Sequence, residues 1–219
     1  MASFPQHLLE GYRTFTSQRL PTEQSRYREL SERGQAPEVM VIGCCDSRVS
    51  PEVIFDAGPG ELFVVRNVAN LVPVYQPDGG AHGVSAALEY AVQVLRVKHI
   101  VVLGHAQCGG IRAFIDNIAP LSPGDFIGKW MSMFIKPGEK VEQRDHETMQ
   151  DFTTRIEKAA IFRSLENLMT FPCVQILVER GKLHLHGAYF GVAEGSLSVL
   201  DQATKEFRGV RETQASSSS

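Results

Sequence analysis

Two short segments of this chain group residue types that bind metals or move protons. "CCDSR" runs from Cys44 to Arg48 and "HAQC" from His105 to Cys108. The first follows the apolar run Val39-Met40-Val41-Ile42; the second follows "HIVVLG", His99–Gly104. Adjacent cysteines beside a charged pair could be a redox couple, a corner of a structural zinc site or part of a catalytic metal site. Vicinal cysteines rarely bridge, and redox motifs normally separate the thiols by two residues. Cys44, His105 and Cys108 together supply two thiolates and one imidazole. Three protein ligands, with a fourth position left for water or substrate, are the pattern of catalytic zinc; structural zinc takes four. A tight turn can bring His105 and Cys108 to one ion, and Gly104, Gly109 and Gly110 suit such a turn. Adjacent residues leaving a strand point in opposite directions, so only one of Cys44 and Cys45 can face a common crevice. Cys45 is then a small packing residue, and Cys173, in "FPCVQIL", belongs to the core.

The elements that must hold these segments follow from the pattern of apolar residues. Val39–Gly43, Leu62–Arg66 and His99–Gly104 read as buried strands. "GVSAALEYAVQVL" (Gly83–Leu95) is a helix leading into the third of them; "GIRAFIDNI" (Gly110–Ile118) and "TTRIEKAAIFRSLENLMTF" are further helices. "KLHLHGAYF" (Lys182–Phe190) and "SLSVLD" (Ser196–Asp201) are strands joined by a hairpin turn at "GVAEG". This alternation predicts an α/β fold: a mostly parallel sheet of about four parallel strands plus an antiparallel C-terminal edge strand, with helices on both faces. Ligand sites in such sheets lie beyond the carboxyl ends of the strands. Residues 1–34 form a polar N-terminal helical arm, interrupted at Pro21 and capped at Gly34. The catalytic domain spans 35–213, and the tail 214–219, ending in "SSSS", is unstructured. The charged stretch "KPGEKVEQRDHETMQD" reads as solvated surface.

Length and composition narrow the class of protein. The chain has 219 residues, 43% of them hydrophobic, a net charge of −3 and four cysteines. The charge leaves no basic footprint for nucleic acid. The N-terminus lacks a signal-peptide core, and no apolar run reaches membrane-spanning length. A soluble, cytoplasmic protein without nucleic-acid or membrane partners is expected. Four cysteines in a chain of this size read as thiols or metal ligands rather than a disulfide framework.

These residues and their context resemble the β-class carbonic anhydrases. The Cys-x-Asp-Ser-Arg pattern is present as Cys44, Asp46, Ser47 and Arg48, and its His-x-x-Cys partner as His105 and Cys108, within "VVLGHAQCGG". "PGELFVVRNVANLV", "LEYAVQVL" and the C-terminal "SLENLMTFPCV" and "LHLHGAYFGVAEGSLSVLD" extend the likeness over roughly residues 4 to 205. The resemblance implies one Zn2+ per chain on Cys44, His105 and Cys108. It also implies reversible hydration of CO2 to bicarbonate and a proton by a hydroxide carried on the metal. Asp46, clamped by Arg48, would orient that nucleophile, and in some members the aspartate swings onto zinc as a fourth ligand in a closed state. Gln35 matches a glutamine that reaches the substrate from a neighbouring subunit. Phe63, Val68 and Tyr90 match pocket walls, and the Gly109 N–H matches a group that helps orient Asp46. A homodimer or dimer of dimers is implied, with the arm on the neighbour.

The same resemblance marks departures. One subgroup binds bicarbonate in an inhibitory pocket made by a Trp, an Arg and a Tyr. Here Arg66 is kept, but Val41 and Phe190 stand at the other two positions, and Tyr189 is shifted by one residue to the other strand face. The open subgroup is therefore expected. His184 and His186 share a strand face without a third ligand nearby and read as hydrogen-bonding groups; His82 and His99 are candidate proton shuttles. Two other functions are compatible with the fold: turnover of carbon disulfide or carbonyl sulfide, and a catalytically silent binding protein that keeps zinc for stability. An intact Asp46, Arg48 and Gln35 set argues against the second.

Overall fold

A computed structural model describes residues 4–117, 119–135 and 141–210. The expected tail from Gln214 and part of the charged stretch, 136–140, lie outside the described residues. The chain begins with α1 (Gln6–Thr14), a π-helical turn at Phe15–Arg19 and α2 (Leu20–Arg33), which ends at Gly34 with φ 77°. Pro21 does not interrupt this arm. Its missing N–H and its ring are accommodated by the wider π turn just before it, so the helix runs on. None of the three segments buries a residue. Leu8 and Tyr12, four apart on one helical face, stay exposed.

Strand β1 (Val39–Cys44) pairs in parallel with β2 (Leu62–Asn67) on one side and β3 (His99–His105) on the other. β4 (His184–Gly191) adds in parallel to β3; β5 (Ser196–Leu200) and β6 (Phe207–Gly209) then add antiparallel. The sheet order is β2-β1-β3-β4-β5-β6. Four parallel strands and the hairpin after β4 match the sequence reading. β6 does not, because three residues show no alternation to read. The order reverses at β1: the chain leaves it for β2 and returns across it to β3. In open α/β sheets this switch point opens a crevice beyond the strand ends. Cys44 ends β1 and His105 ends β3.

Helices cover the two faces unequally. After the short α3 (Pro51–Ile54), α4 (Gly83–Glu89) runs into a π-helical stretch, Tyr90–Leu95. Beyond β3 come α5 (Gly109–Ile115), α6 (Phe126–Ser132), α7 (Met149–Leu168) and α8 (Pro172–Glu179). Leu88, Val92, Ile161, Leu168 and Val174 from these helices bury Met40, Ile42, Ile100 and Val102 of the sheet. Each such side chain is worth about 1.5–3 kcal/mol of burial. α7 comes close because Gly104 and Gly187 leave room: a Cβ on either would lie 2.7 or 2.9 Å from the Ile161 side chain. On the other face, the apolar cluster of Val41, Leu103 and Ala188 is joined by Ile54 and Phe55, from the short α3 and the residue after it. A third apolar cluster closes the carboxyl end. Ile111, Met131, Phe134, Phe152 and Ile156 surround Cys44 and Cys108 there.

Candidate metal centre

Cys44, His105 and Cys108 converge in the β1–β3 crevice. All three are buried, and their ligand atoms lie within 4.8 Å of one another; this is the one such group among the described residues. The two sulfurs are 3.9 Å apart. Two thiolates each about 2.3 Å from a tetrahedral zinc would lie roughly 3.8 Å apart, so the spacing suits that ion. The His105 Nδ1–H donates to the Ala106 carbonyl at 2.9 Å, which fixes the ring. Nε2 is buried with no hydrogen-bond partner. A buried imidazole nitrogen without a partner is costly unless something electrophilic meets it.

The turn between His105 and Cys108 is made by Gln107, whose φ is 56°. The glycines expected to make it serve otherwise. Gly104 admits Ile161, and Gly110 admits the Val68 side chain, which a Cβ would approach to 2.6 Å. On the other loop, Ala69 takes φ 63°, an unfavourable conformation for a residue with a Cβ.

The electrostatics favour positive charge at the three donor atoms. The Cys108 thiol, donating toward Cys44, holds the Cys44 thiol well below its usual value against the cost of burial; His105 and the Asp46 and Ala69 N–H groups add to this. Cys108, which keeps the shared proton beside a thiolate and is itself buried, is pushed up. For His105, burial opposes protonation, but the Cys44 thiolate outweighs it and raises the imidazole. A divalent cation replaces both protons and satisfies all three groups. The residues present therefore fit zinc.

Asp46 stands beside this group with both oxygens engaged. Oδ1 accepts the Arg48 Nε–H at 2.9 Å and the Arg48 backbone N–H at 3.0 Å; Oδ2 accepts Arg48 Nη2–H at 2.7 Å. Arg48 holds the Asp46 carboxyl well below the usual carboxylate range, against a smaller effect of burial. No hydrogen bond reaches Asp46 from the Gly109 N–H among the described residues, so the role expected of Gly109 has no contact behind it. Arg66 donates to the Cys44 carbonyl at 2.8 Å and the Asp46 carbonyl at 2.7 Å, tying the loop to β2.

The remaining candidates divide into two places. Val68 packs in the cluster around Cys44 and Cys108, and its carbonyl accepts the Trp130 indole N–H at 2.7 Å. Phe63 and Tyr90 stack with centroids 5.9 Å apart, and Gln35 lines a surface cleft with Tyr90 and Leu30. Phe63 lies four residues before Asn67, the β1-end partner, which is about 13 Å along a strand. Cys45 is exposed rather than packed, because its backbone pairs with Asn67 and turns the thiol outward. Cys173 is partly buried against the main core. His99 bonds His186 at 3.1 Å, and its six-residue separation from His105 puts it roughly 20 Å along β3. His82 pairs with Asp78 at 2.6 Å. Glu157 of α7 escaped the sequence reading; it meets Tyr189 of β4, which was read only as shifted from another pocket, behind Cys108. Glu157 could have been found from its spacing, since it shares a helical stripe with Thr153, Ala160, Ile161 and Ser164.

Fold and site together define an α/β protein with a buried two-cysteine, one-histidine group that could hold one metal ion at the switch point of its sheet. Comparison with known proteins adds the family. The carbonic anhydrase family model matches residues 39–197. The chain is 36% identical over 205 residues to a carbonic anhydrase of Pseudomonas aeruginosa, covering 94% of this chain and 91% of that protein. It superposes on the β-carbonic anhydrase CcaA with a TM-score of 0.84 and 27% identity, covering 95% and 92% of the two chains. It also superposes on a tetrameric β-carbonic anhydrase of Sordaria macrospora with a TM-score of 0.75 and 26% identity, covering 94% and 98%. The chain belongs to the β-class carbonic anhydrases, zinc enzymes that interconvert carbon dioxide and bicarbonate. No described helix is long and apolar enough to cross a membrane.

Proposed function

We propose that Cys44, His105 and Cys108 hold the zinc ion at which this chain hydrates CO2, with Asp46 and Arg48 as the catalytic dyad. The observation that carries this is the unpartnered, buried His105 Nε2 facing two sulfurs 3.9 Å apart. Zinc, when bound, supplies Lewis-acid activation of a water near neutral pH. Asp46, held in one orientation by the Arg48 fork, would accept the hydrogen bond of that nucleophile and so orient it for attack on CO2. Val68 gives the small apolar substrate an apolar wall. Addition of that activated water to CO2 would give bicarbonate and one proton, the proton passing to solvent buffer.

Gln35, Phe63 and Tyr90 complete the pocket of a second copy of the chain. Their distance from the metal group of their own chain supports this. So does the arm, residues 1–34, whose apolar side chains Phe4, Leu8 and Tyr12 are more than half exposed without a partner surface. The assembly is then a homodimer or a dimer of dimers, as in the tetrameric Sordaria relative. The catalytic unit lies within 35–213. Stopped-flow CO2 hydration on metal-quantified protein tests the reading. The expected result is turnover proportional to zinc content with one zinc per chain. Zinc-loaded protein without turnover would refute it.

A further inference from the structure

Glu157 is 2% exposed, and Tyr189 9%. Glu157 Oε1 accepts the Cys108 backbone N–H at 2.9 Å, and its Oε2 accepts the Tyr189 hydroxyl at 2.6 Å. The Gln107 N–H also favours the Glu157 carboxylate. The Lys158 ammonium lies 5.2 Å from the Tyr189 ring centroid, closing this corner from α7. Burying a carboxyl is expensive unless hydrogen bonds replace water, so the position needs a reason. The contacts supply one. Gln107 and Cys108 are the two residues of the ligand turn that have to be held, and Gln107 is left-handed without being glycine. One carboxyl group braces that turn from α7, and β4 braces the carboxyl.

We propose that Glu157, seated by Tyr189, is a positioning residue for Cys108, presenting its thiolate to Cys44 and His105 and retarding escape of the metal. This rests on the zinc-ligand assignment above and goes beyond it. A ligand whose backbone is fixed beforehand loses less freedom on binding and releases the ion more slowly. A carboxyl that only stabilised the fold would change melting temperature without changing the metal's exit.

The test measures zinc release from the holoprotein to a chromogenic chelator, together with the visible spectrum of the Co2+-substituted protein. Loss of a group that hydrogen-bonds a metal-ligand residue typically costs about 10- to 100-fold in metal affinity, and faster release in that range is expected for Glu157→Ala. Tyr189→Phe should accelerate release by a smaller factor, about 3- to 10-fold, since the carboxyl keeps its bond to Cys108. Glu157→Gln should restore release to within about threefold of the parent, because its amide oxygen still accepts the Cys108 N–H. The Co2+ bands should shift in Glu157→Ala and return in Glu157→Gln. Parental release from folded Glu157→Ala or Tyr189→Phe would overturn the proposal, as would equal loss in the Ala and Gln variants. If Glu157→Ala does not fold, Tyr189→Phe decides. A parent that holds no zinc would instead sink the ligand assignment itself.

Discussion

Arg48 Nη2 donates to the Gln107 carbonyl at 3.0 Å, so the residue that clamps Asp46 is itself anchored to the turn carrying Cys108. Dyad and ligand turn are one mechanical unit. Lysine offers a point charge where arginine offers a planar fork, so Arg48→Lys cannot keep both Asp46 oxygens and Gln107 engaged. Arg48→Lys and Asp46→Asn should each lower kcat by about 10- to 100-fold while zinc content stays near that of the parent. Metal analysis beside stopped-flow rates checks this. Loss of zinc in step with loss of activity would assign the dyad to metal retention rather than to orientation of the nucleophile.

Ligand exchange separates the adjacent cysteines. Cys44→Ser and Cys108→Ser each remove a buried thiolate and should drop zinc content sharply. Cys45→Ser changes an exposed side chain and should leave it near one per chain. The metal-to-protein ratio after dialysis is the measurement. Equal loss in Cys45→Ser would mean that the strand end turns the other way in solution.

What was legible in the sequence follows from how each element is buried. β1 and β3 lie in the interior of the sheet, so their side chains are apolar without interruption and their carboxyl ends stand out at Cys44 and His105. The ligand group could be read because its chemistry is concentrated in two motifs. The turn geometry could not: glycines near a bend suggest flexibility, yet Gly104 and Gly110 answer to Ile161 and Val68, and Gln107 takes the positive φ. Pro21 suggested a break because a π turn upstream leaves no mark in the sequence. Glu157 was hidden because a carboxylate in an amphipathic helix ordinarily belongs to the solvent face. Tyr189 was read only as a misplaced residue of another pocket, when its strand face carries it to Glu157.

The separation of Gln35, Phe63 and Tyr90 from the metal group gives a complementation test. Gln35→Ala and Cys44→Ser should each be strongly impaired alone. If Gln35 acts in trans, a mixed dimer contains one intact site: zinc from the Gln35→Ala chain and glutamine from the Cys44→Ser chain. Co-expression of the two should recover a substantial share of the activity expected for mixed dimers. No recovery, or an active monomer in sedimentation at low concentration, would place Gln35 in its own chain's site.

Regulation follows from what occupies the space around Arg66. Both of its bonds go to backbone carbonyls of the metal loop, Cys44 and Asp46. Val41 is buried against Leu103 and Ala188, with Phe190 packed on the same cluster, and we infer that these apolar side chains leave no second site for bicarbonate. Asp46 has a depressed pKa. Its clamp therefore contributes fully above the unfolded carboxyl value of about 3.9 and is lost only as pH falls from there through the native value. At neutral pH the clamp on Asp46 should therefore be intact. Activity should rise with pH along a single, non-cooperative ionisation, and added bicarbonate should act as a simple competitor. pH–rate profiles with and without bicarbonate measure both. A steep, cooperative loss of activity on acidification that bicarbonate deepens would mean that Val41 and Phe190 leave room for the second site after all.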